Sequence, residues 1–315
     1  MENQKKAYKT QIGGQALIEG VMMRGMNKIA MAVRLPDGSI DLEELPAGDL
    51  AHPKWYRRIP IIRGVINFID SMAKGYTCLM KSAEKSGMDD TDEEPSKFEK
   101  KLTELFGDNL MKVMAGIGMV LGVGLAILLF MYLPALFVQG LSALFPLSNI
   151  LRSLIEGIIK IIIFVGYLAL VSQMKDIRRT FEYHGAEHKS IFCYEHGDEL
   201  TVENVRRYQR FHPRCGTSFM IIVLILSILI FSVVTWDNLV IRILLKLALL
   251  PIVVGISYEL IKFAGRHDNL VTRIISAPGM ALQHLTTREP DDSQLEVAIA
   301  ALKEVLPVHQ GEDRW

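Results

Sequence analysis

The strongest constraint on the fold is an apolar run at residues 113–138, VMAGIGMVLGVGLAILLFMYLPALFV, which contains no charged side chain. A helix needs about 20 predominantly apolar residues to cross the hydrocarbon core of a bilayer. The run therefore predicts a transmembrane helix. Hydrophobic residues make up 50% of the chain of 315 residues, which agrees with a membrane protein rather than an ordinary soluble one.

Three further apolar runs predict transmembrane helices at residues 150–174, 219–235 and 239–263. The first of these carries Glu156 and Lys160, which stand four residues apart and can pair on one helical face. Short turns join the first span to the second and the third to the fourth. The sequence thus predicts a mainly α, polytopic membrane protein with four transmembrane helices in two hairpins and a cytosolic α+β portion.

Basic residues are distributed unevenly along the chain, and their positions predict its orientation. The segment before the first span holds 17 Lys and Arg, the loop at residues 175–217 holds 8, and the tail from Lys262 holds 6. Because positive charge is retained on the cytoplasmic side of a membrane, the N-terminus, the central loop and the C-terminal tail are expected in the cytosol. Acidic and basic residues number 35 each, so net charge gives no indication of nucleic-acid binding.

These features divide the chain into six segments. An N-terminal cytosolic region at residues 1–85 precedes an acidic linker at 86–97, SGMDDTDEEPSK, whose composition is typical of a solvated segment. An interfacial helix and the first hairpin occupy residues 98–174. The central cytosolic loop covers 175–217, the second hairpin covers 218–263, and the C-terminal cytosolic region covers 264–315.

Local patterns predict two elements of the N-terminal region. Two short runs flank the turn signal Pro36-Asp37-Gly38 and predict a small β-hairpin. Apolar residues then recur at helical spacing from position 61 to position 69 and predict an amphipathic helix. This helix either lies along the inner leaflet or belongs to the cytosolic core.

Two further stretches flank these elements. The motif GGQALIEGVMMRG, with Glu19 and Arg24, fits either a glycine-bent strand at a domain edge or a loop that lines a site. Near the other end of the chain, Ser293 is followed three residues later by Glu296, the arrangement of a capping box. It predicts the start of a packed terminal helix.

The motif YHGAEHK at residues 183–189 places reactive side chains on the central loop. The surrounding stretch lacks proline and can continue the second span as one helix, on which His184, Glu187 and His188 share a face. Two imidazoles one turn apart can bind one zinc ion, and a carboxylate beside them can act as a general base. The order His-x-x-Glu-His is that of the inverted zinc peptidases. The plain alternative is a polar helix surface.

A second candidate pair follows on the same loop. The stretch ELTVENVRRYQRFHPRCGTSF predicts a short helix capped by Thr201, running to about residue 211, and then a bend that carries His212 and Cys215. These two side chains can complete a tetrahedral site with the first pair, and such ligands favour zinc over calcium or magnesium. The alternative is that Cys215 only packs near the third span and that His212 caps the helix.

The number of ligands decides the role of this site. Four bound ligands make it closed and structural, whereas a free Cys215 or histidine leaves an open position and gives Glu187 a purpose as general base. Glu259, near the cytosolic end of the fourth span, is a weaker candidate ligand. It can instead pair with Lys262 or Arg266.

Other polar residues suggest no second metal site. A basic stripe, for which anionic lipid headgroups are the simplest partner, consists of Arg206, Arg207, Arg210 and Arg214. The histidines without partners at ligand spacing are His52, His196, His267, His284 and His309. The three cysteines, which form no disulfide framework and are expected to be reduced thiols, are Cys78, Cys193 and Cys215.

Several of these motifs resemble the YqhQ-like family of bacterial membrane proteins, which are candidate metal-dependent enzymes without an assigned function. The resemblance extends over nearly the whole chain and is carried by GGQALIEGVMMRG, YHGAEHKSIFCYE, ELTVENVRRYQRFHPRCGTSF, GISYELIKFAG and LTTREPDDSQLEVAIAAL. It implies a multi-pass protein of the bacterial inner membrane. It also implies a metal at His184, His188, His212 and Cys215.

Two functions agree with these observations. The first is a membrane-anchored zinc protein in which Glu187 serves as base in the hydrolysis of a peptide or a lipid headgroup near the inner leaflet. The second is a non-catalytic partner or assembly factor of a larger membrane complex, in which zinc only fixes the central loop. A transporter is disfavoured, because four spans with few buried polar groups offer little from which to build a pathway.

Overall fold

A computed structural model of the chain describes residues 8–46, 55–87, 110–232, 238–267, 269–307, 309 and 312–314. The described part is mainly helical and contains one small antiparallel sheet. It divides into two compact units: residues 1–89, 167–227 and 249–315 belong to the first, and residues 90–166 and 228–248 belong to the second. The predicted acidic linker and the interfacial helix after it lie almost entirely outside the described residues.

The sheet has four strands in the order β1-β2-β3-β4, namely β1 (Gly13–Leu17), β2 (Gly20–Arg24), β3 (Lys28–Arg34) and β4 (Ile40–Pro46). The predicted hairpin is present as β3 and β4. Its turn contains Gly38 at φ 85°, a left-handed conformation that glycine adopts without steric cost. The GGQALIEGVMMRG motif adds a second hairpin, made of β1 and β2.

The turn between β1 and β2 is harder to predict, because it consists of Ile18 and Glu19 and lacks the usual asparagine or glycine. Glu19 has φ 50°, a conformation that costs most residues roughly 1–2 kcal/mol. Arg179 donates to both carboxylate oxygens of Glu19, and the Tyr183 hydroxyl donates to one of them at 3.2 Å. Contacts from residues distant in sequence therefore hold the turn.

Nine helices longer than four residues occur in the described part of the chain. They are α1 (Ile62–Lys85), α2 (Leu110–Ile127, continued by one π-helical turn, Leu128–Tyr132, and by Leu133–Leu144), α3 (Asn149–Val171), α4 (Lys175–Glu195), α5 (Val202–Arg206), α6 (Gly216–Phe231), α7 (Leu239–Arg266), α8 (Leu270–Thr286) and α9 (Asp292–Glu304).

Three of these helices are long and apolar enough to cross a membrane: Gly116–Leu144 within α2, Asn149–Val171, and Val240–Arg266 within α7. They correspond to the first, second and fourth predicted spans. The third predicted span corresponds to α6, an apolar helix of 16 residues. At 1.5 Å per residue it is about 24 Å long, shorter than a hydrocarbon core of about 30 Å. Four complete spans are therefore not confirmed.

The first unit has its core between the sheet and the helices α4 and α9. The largest fully buried side chains of this core come from all three of these parts and include Met23, Tyr183, Ile191, Leu295 and Leu302. The terminal helix α9 thus packs as its periodicity predicts. The buried cysteines Cys78, Cys193 and Cys215 are free thiols, in agreement with the sequence.

The ends of three helices differ from the predictions. α9 is capped by Asp291 and Gln294, two residues before the predicted pair, because the Asp291 carboxylate accepts from the backbone of Gln294 and the Gln294 side chain accepts from that of Asp291. α4 begins at Lys175 after extended backbone at Met174, so it does not continue α3. α5 is capped by Thr201 as predicted but ends at Arg206, well before residue 211.

The amphipathic helix α1 has one covered and one open face. Cys78 and Ser82 are buried. A Cβ atom added to Gly64 would stand 3.0 Å from the backbone oxygen of Gly255 in α7, and one added to Gly255 would collide with Ile61, so the two helices pack closely here. The opposite face exposes apolar side chains, among them Ile69, Met72 and Tyr76, each more than half exposed. The helix therefore combines features of both predicted positions, the cytosolic core and the inner leaflet. One of its faces packs within the first unit, and the other presents an apolar surface.

Truncation of Leu302 tests the packing of α9. We expect Leu302→Ala to lower the free energy of unfolding by about 2–5 kcal/mol, because Leu302 is fully buried and a cavity remains in its place. Lys303→Ala, at the exposed neighbouring position, should change it by less than about 0.5 kcal/mol. Equal denaturation midpoints for the two variants in detergent would contradict this account of the core.

Candidate metal centre

The helix α4 presents the predicted motif toward the interior of the first unit. Glu187 and His188 are buried, and His184 is half-buried. The motif is therefore not the exposed polar helix surface of the plain alternative.

Three ligand atoms of this region converge. The side-chain ligand atoms of His184, His188 and Cys215 all lie within 4.8 Å of one another. The Nε2 atom of His184 is 3.0 Å from the Cys215 sulfur, and the two imidazole rings have their centroids 4.4 Å apart. Two imidazoles and a thiol at this spacing can bind one metal ion.

Backbone oxygens orient both imidazoles. His184 Nδ1 lies 2.8 Å from the carbonyl oxygen of Thr286, and His188 Nδ1 bonds to that of Arg210. A carbonyl can only accept, so Nδ1 carries the proton in each ring and Nε2 is left as the metal-binding atom. The Nε2 atom of His188 is buried and has no hydrogen-bond partner among the described residues. This donor set fits a metal ion.

The surroundings of Cys215 favour the deprotonated form of its thiol. Burial alone would raise its pKa, but the nearby His188 imidazole and the hydrogen bonds of Thr217 outweigh burial and lower the pKa below the ordinary value. The backbone nitrogen and the hydroxyl of Thr217 lie 3.4 and 3.3 Å from the sulfur. A thiolate is the form of cysteine that binds metals.

Glu187 lies beside this cluster. Burial raises its pKa to about 7, and the charges of His184 and Cys215 act on the same carboxyl. One carboxylate oxygen, Oε2, is buried without a hydrogen-bond partner in the part of the chain that the structure describes. A Cβ atom added to Gly14 would stand 3.0 Å from the Glu187 carboxyl carbon, so β1 covers this residue. The glycine motif thus forms a strand and also lines the site.

His212, the fourth predicted ligand, is not part of the converging group. Its ring is 5.5 Å from that of His188, but its Nε2 atom lies 3.8 Å from a carboxylate oxygen of Glu195, which also pairs with Arg214. Gln283 accepts from the His212 backbone nitrogen and donates to its backbone oxygen, both at 2.7 Å. These contacts orient His212 and hold the bend that carries Cys215.

The weaker candidate Glu259 has another partner. Arg63 of α1 donates to both of its carboxylate oxygens, once at 2.6 Å. The predicted partners Lys262 and Arg266 are thus replaced by an arginine from a helix distant in sequence, and Glu259 is absent from the converging group.

The arginines of the predicted basic stripe are paired with carboxylates of the chain. Their partners are Asp292 for Arg206, Glu203 for Arg207, Glu289 for Arg210 and Glu195 for Arg214. The stripe therefore carries much less net charge than the sequence suggests.

Gly185 is a part of the site that the motif does not reveal. A Cβ atom at this position would collide with the backbone oxygen of Arg288, in the segment that follows α8. Two residues earlier, Thr286 at the end of α8 supplies the backbone oxygen that orients His184. A glycine inside a helical pattern signals such a close approach, but the sequence does not say which segment approaches.

The fold and the cluster define a class: a mainly helical chain with apolar helices of membrane-spanning length and a buried His-His-Cys group that can bind a metal. The sequence profile of a family described as "Protein of unknown function (DUF1385)" matches residues 59–308, and the chain belongs to this family. It is 37% identical over 295 residues to "Uncharacterized protein YqhQ" of Bacillus subtilis (strain 168), covering 93% of this chain and 92% of that protein. This agrees with the resemblance seen in the motifs. No solved structure matches the chain.

Substitution of Gly185 tests the orientation of His184. We expect Gly185→Ala to weaken metal binding about 10- to 100-fold, because the added methyl group displaces the segment that accepts from the imidazole. Gly216→Ala is the matched control, since Gly216 follows Cys215 and a Cβ atom there meets nothing within 4 Å. Metal titration of both variants checks this, and equal affinities would contradict the proposed orientation.

Proposed function

We propose that this chain is a zinc-dependent hydrolase anchored in the bacterial inner membrane, with its metal site on the cytosolic side. His184, His188 and Cys215 hold the ion. Glu187 acts as general base toward a peptide or a lipid headgroup near the inner leaflet. The observation that carries the proposal is a converging set of three ligands beside a buried carboxylate that has an unpartnered oxygen.

The choice of zinc follows from the chemistry of the ligands. Imidazole and thiolate are borderline and soft ligands, which favour zinc over magnesium or calcium. Structural zinc sites have four protein ligands, whereas catalytic sites have three and leave one position open. Zinc bound there would supply Lewis acidity to a polarised carbonyl or phosphoryl group. The protein contributes the orientation of both imidazoles through the oxygens of Thr286 and Arg210, and a base in Glu187.

The membrane position is supported by the three long apolar helices and by the basic residues that flank them. Under the positive-inside rule the N-terminus, the central segment with the cluster and the C-terminus are cytosolic. The open apolar face of α1, with Ile69, Met72 and Tyr76, suits contact with the bilayer. Anionic lipid headgroups are the expected neighbours on this side.

A second function is favoured by a different observation, the burial of the site. Among the three ligands only His184 is partly exposed, and β1 covers Glu187. In this alternative the same zinc has a structural role: it fixes α4 to the bend at Cys215 in a non-catalytic partner or assembly factor of a membrane protein complex. The two functions share the metal and differ in the role of Glu187.

Metal content tests the ligand set. Wild-type protein purified in detergent should contain about one zinc per chain by mass spectrometry. His184→Ala and Cys215→Ala should lose it, because each removes a ligand. His212→Ala should retain it, since the His212 imidazole faces Glu195 and lies outside the converging group. Loss of zinc from His212→Ala in a folded protein would restore the four-ligand site, and wild type that takes up no added zinc would contradict the metal site.

Glu187→Gln separates catalysis from scaffolding. Zinc-loaded wild type and Glu187→Gln are each incubated with a bacterial lipid extract and with a synthetic peptide library, and products are identified by mass spectrometry. We expect products from the wild type and at least a 100-fold lower yield from Glu187→Gln at equal zinc content, because the variant lacks a base. Equal yields, or no product from either protein, would favour the structural role.

A further inference from the structure

The second unit contains a cluster of ionisable side chains on its apolar helices. The basic members are Arg152 and Lys160 of α3 and Arg242 and Lys246 of α7. No other lysine or arginine occurs in residues 113–174 or 218–261. Ionisable residues within spans are costly, and they are kept where they pair or where they function.

Glu156 joins the two lysines. One of its carboxylate oxygens, Oε1, accepts from Lys160 at 2.9 Å and also from Lys246. All three residues are at most 6% exposed, and both ammonium groups lie about 6 Å from the centre of the Phe231 ring. The pair Glu156–Lys160 expected from the sequence is therefore present, with a second lysine added to it.

This cluster lies deep along the helices. Lys160 is 11 residues beyond the start of α3 at Asn149, which places it roughly 16 Å along the helix, near the middle of a hydrocarbon core of about 30 Å. A buried charge at that depth requires a compensating charge. One carboxylate shared by two lysines compensates only one of them.

The two arginines add to the excess of positive charge. Arg152 precedes Glu156 by one helical turn, and Arg242 precedes Lys246 by one turn, so both extend the cluster in the direction of the helix starts. Their Nε atoms are buried without hydrogen-bond partners, and neither arginine forms an ion pair with a described residue. Each arginine stands three residues beyond the first residue of its helix, Asn149 of α3 or Leu239 of α7.

The cavity at this cluster restricts where an anion can bind. It is lined by Ser153, Glu156, Lys160 and Lys246, among others, and its volume is about 10 Å³, space for about one water molecule. A phosphate group does not fit between the lysines. An anion that balances them must therefore bind nearer the helix starts, where the arginines lie.

We propose that Arg152 and Arg242 bind a phosphate-bearing anion at this end of the second unit, above the buried Glu156–Lys160–Lys246 cluster. Guanidinium groups bind phosphate through paired hydrogen bonds, which suits arginines at the opening and lysines beneath. The phosphate comes either from a phospholipid headgroup or from the free ion. The proposal does not depend on the metal centre, which lies in the first unit.

Binding to the delipidated full-length protein in detergent tests this proposal. The probes are dioctanoyl phosphatidylglycerol, inorganic phosphate, and dioctanoylglycerol, which has the same chains without phosphate. We expect the phospholipid to bind in isothermal titration calorimetry, and Arg152→Gln/Arg242→Gln to weaken binding by at least about tenfold, because each charge-assisted hydrogen bond contributes that much. The matched control is Arg178→Gln/Lys303→Gln, which also removes two positive charges, from exposed side chains outside the basic stripe, and should leave affinity unchanged.

The probes distinguish the two sources of phosphate. Competition by inorganic phosphate would support a site for any phosphate-bearing anion, and binding without such competition would support a lipid headgroup.

If the glutamine variant does not fold, Arg152→Lys/Arg242→Lys keeps the charges and loses the paired geometry, and binding should weaken several-fold. Equal binding of dioctanoylglycerol, no binding of either phosphate probe, or an unchanged affinity in these arginine variants would overturn the proposal. Absence of binding would mean that the cluster needs no bound anion for its charge balance.

Discussion

The structure around the candidate metal centre depends on the burial of a polar face of α4. An unpaired polar group in a protein interior costs about 1–3 kcal/mol, so each buried donor of this face needs an acceptor. His184 and His188 find backbone oxygens at Thr286 and Arg210, and Lys189 bonds to the last residue of α5 and to Glu289. The hydrogen bonds that satisfy α4 thus bring three distant segments together, and the alignment of both imidazoles follows from them.

Features that depend on local pattern could be predicted from the sequence. The length of the apolar runs predicts the three long helices, and the turn at Gly38 predicts the β3–β4 hairpin. The helical spacing of apolar residues predicts α1 and α9. Within the site, helical spacing was enough to place His184, Glu187 and His188 on one inward face, and the bend after α5 carries Cys215, whose sulfur converges with the two imidazoles. In each case the residues that decide the outcome belong to one continuous stretch of the sequence.

Features that depend on distant residues could not be predicted. His212 and Cys215 share one bend, and nothing in their spacing says which one faces α4. Glu195 and Gln283 decide it, because they hold His212 to one side. The β1–β2 hairpin also depends on a distant residue. Glu19 adopts an unfavourable backbone conformation because Arg179 holds its carboxylate. Long-range hydrogen bonds override local propensity at these positions.

Unpartnered atoms differ in what they imply. An unpartnered arginine Nε is weak evidence for a bound anion. The Nε atoms of Arg34 and Arg210 are also unpartnered, although their guanidinium groups pair with Glu296 and Glu289. Arg152 and Arg242 have no such ion pair among the described residues, and they adjoin lysines that share one carboxylate. Charge balance, more than an unmade hydrogen bond, therefore distinguishes the Glu156–Lys160–Lys246 cluster. At the metal centre the reverse holds, since the imidazole nitrogen of His188 is a neutral donor atom whose burial is favourable once a metal accepts its lone pair.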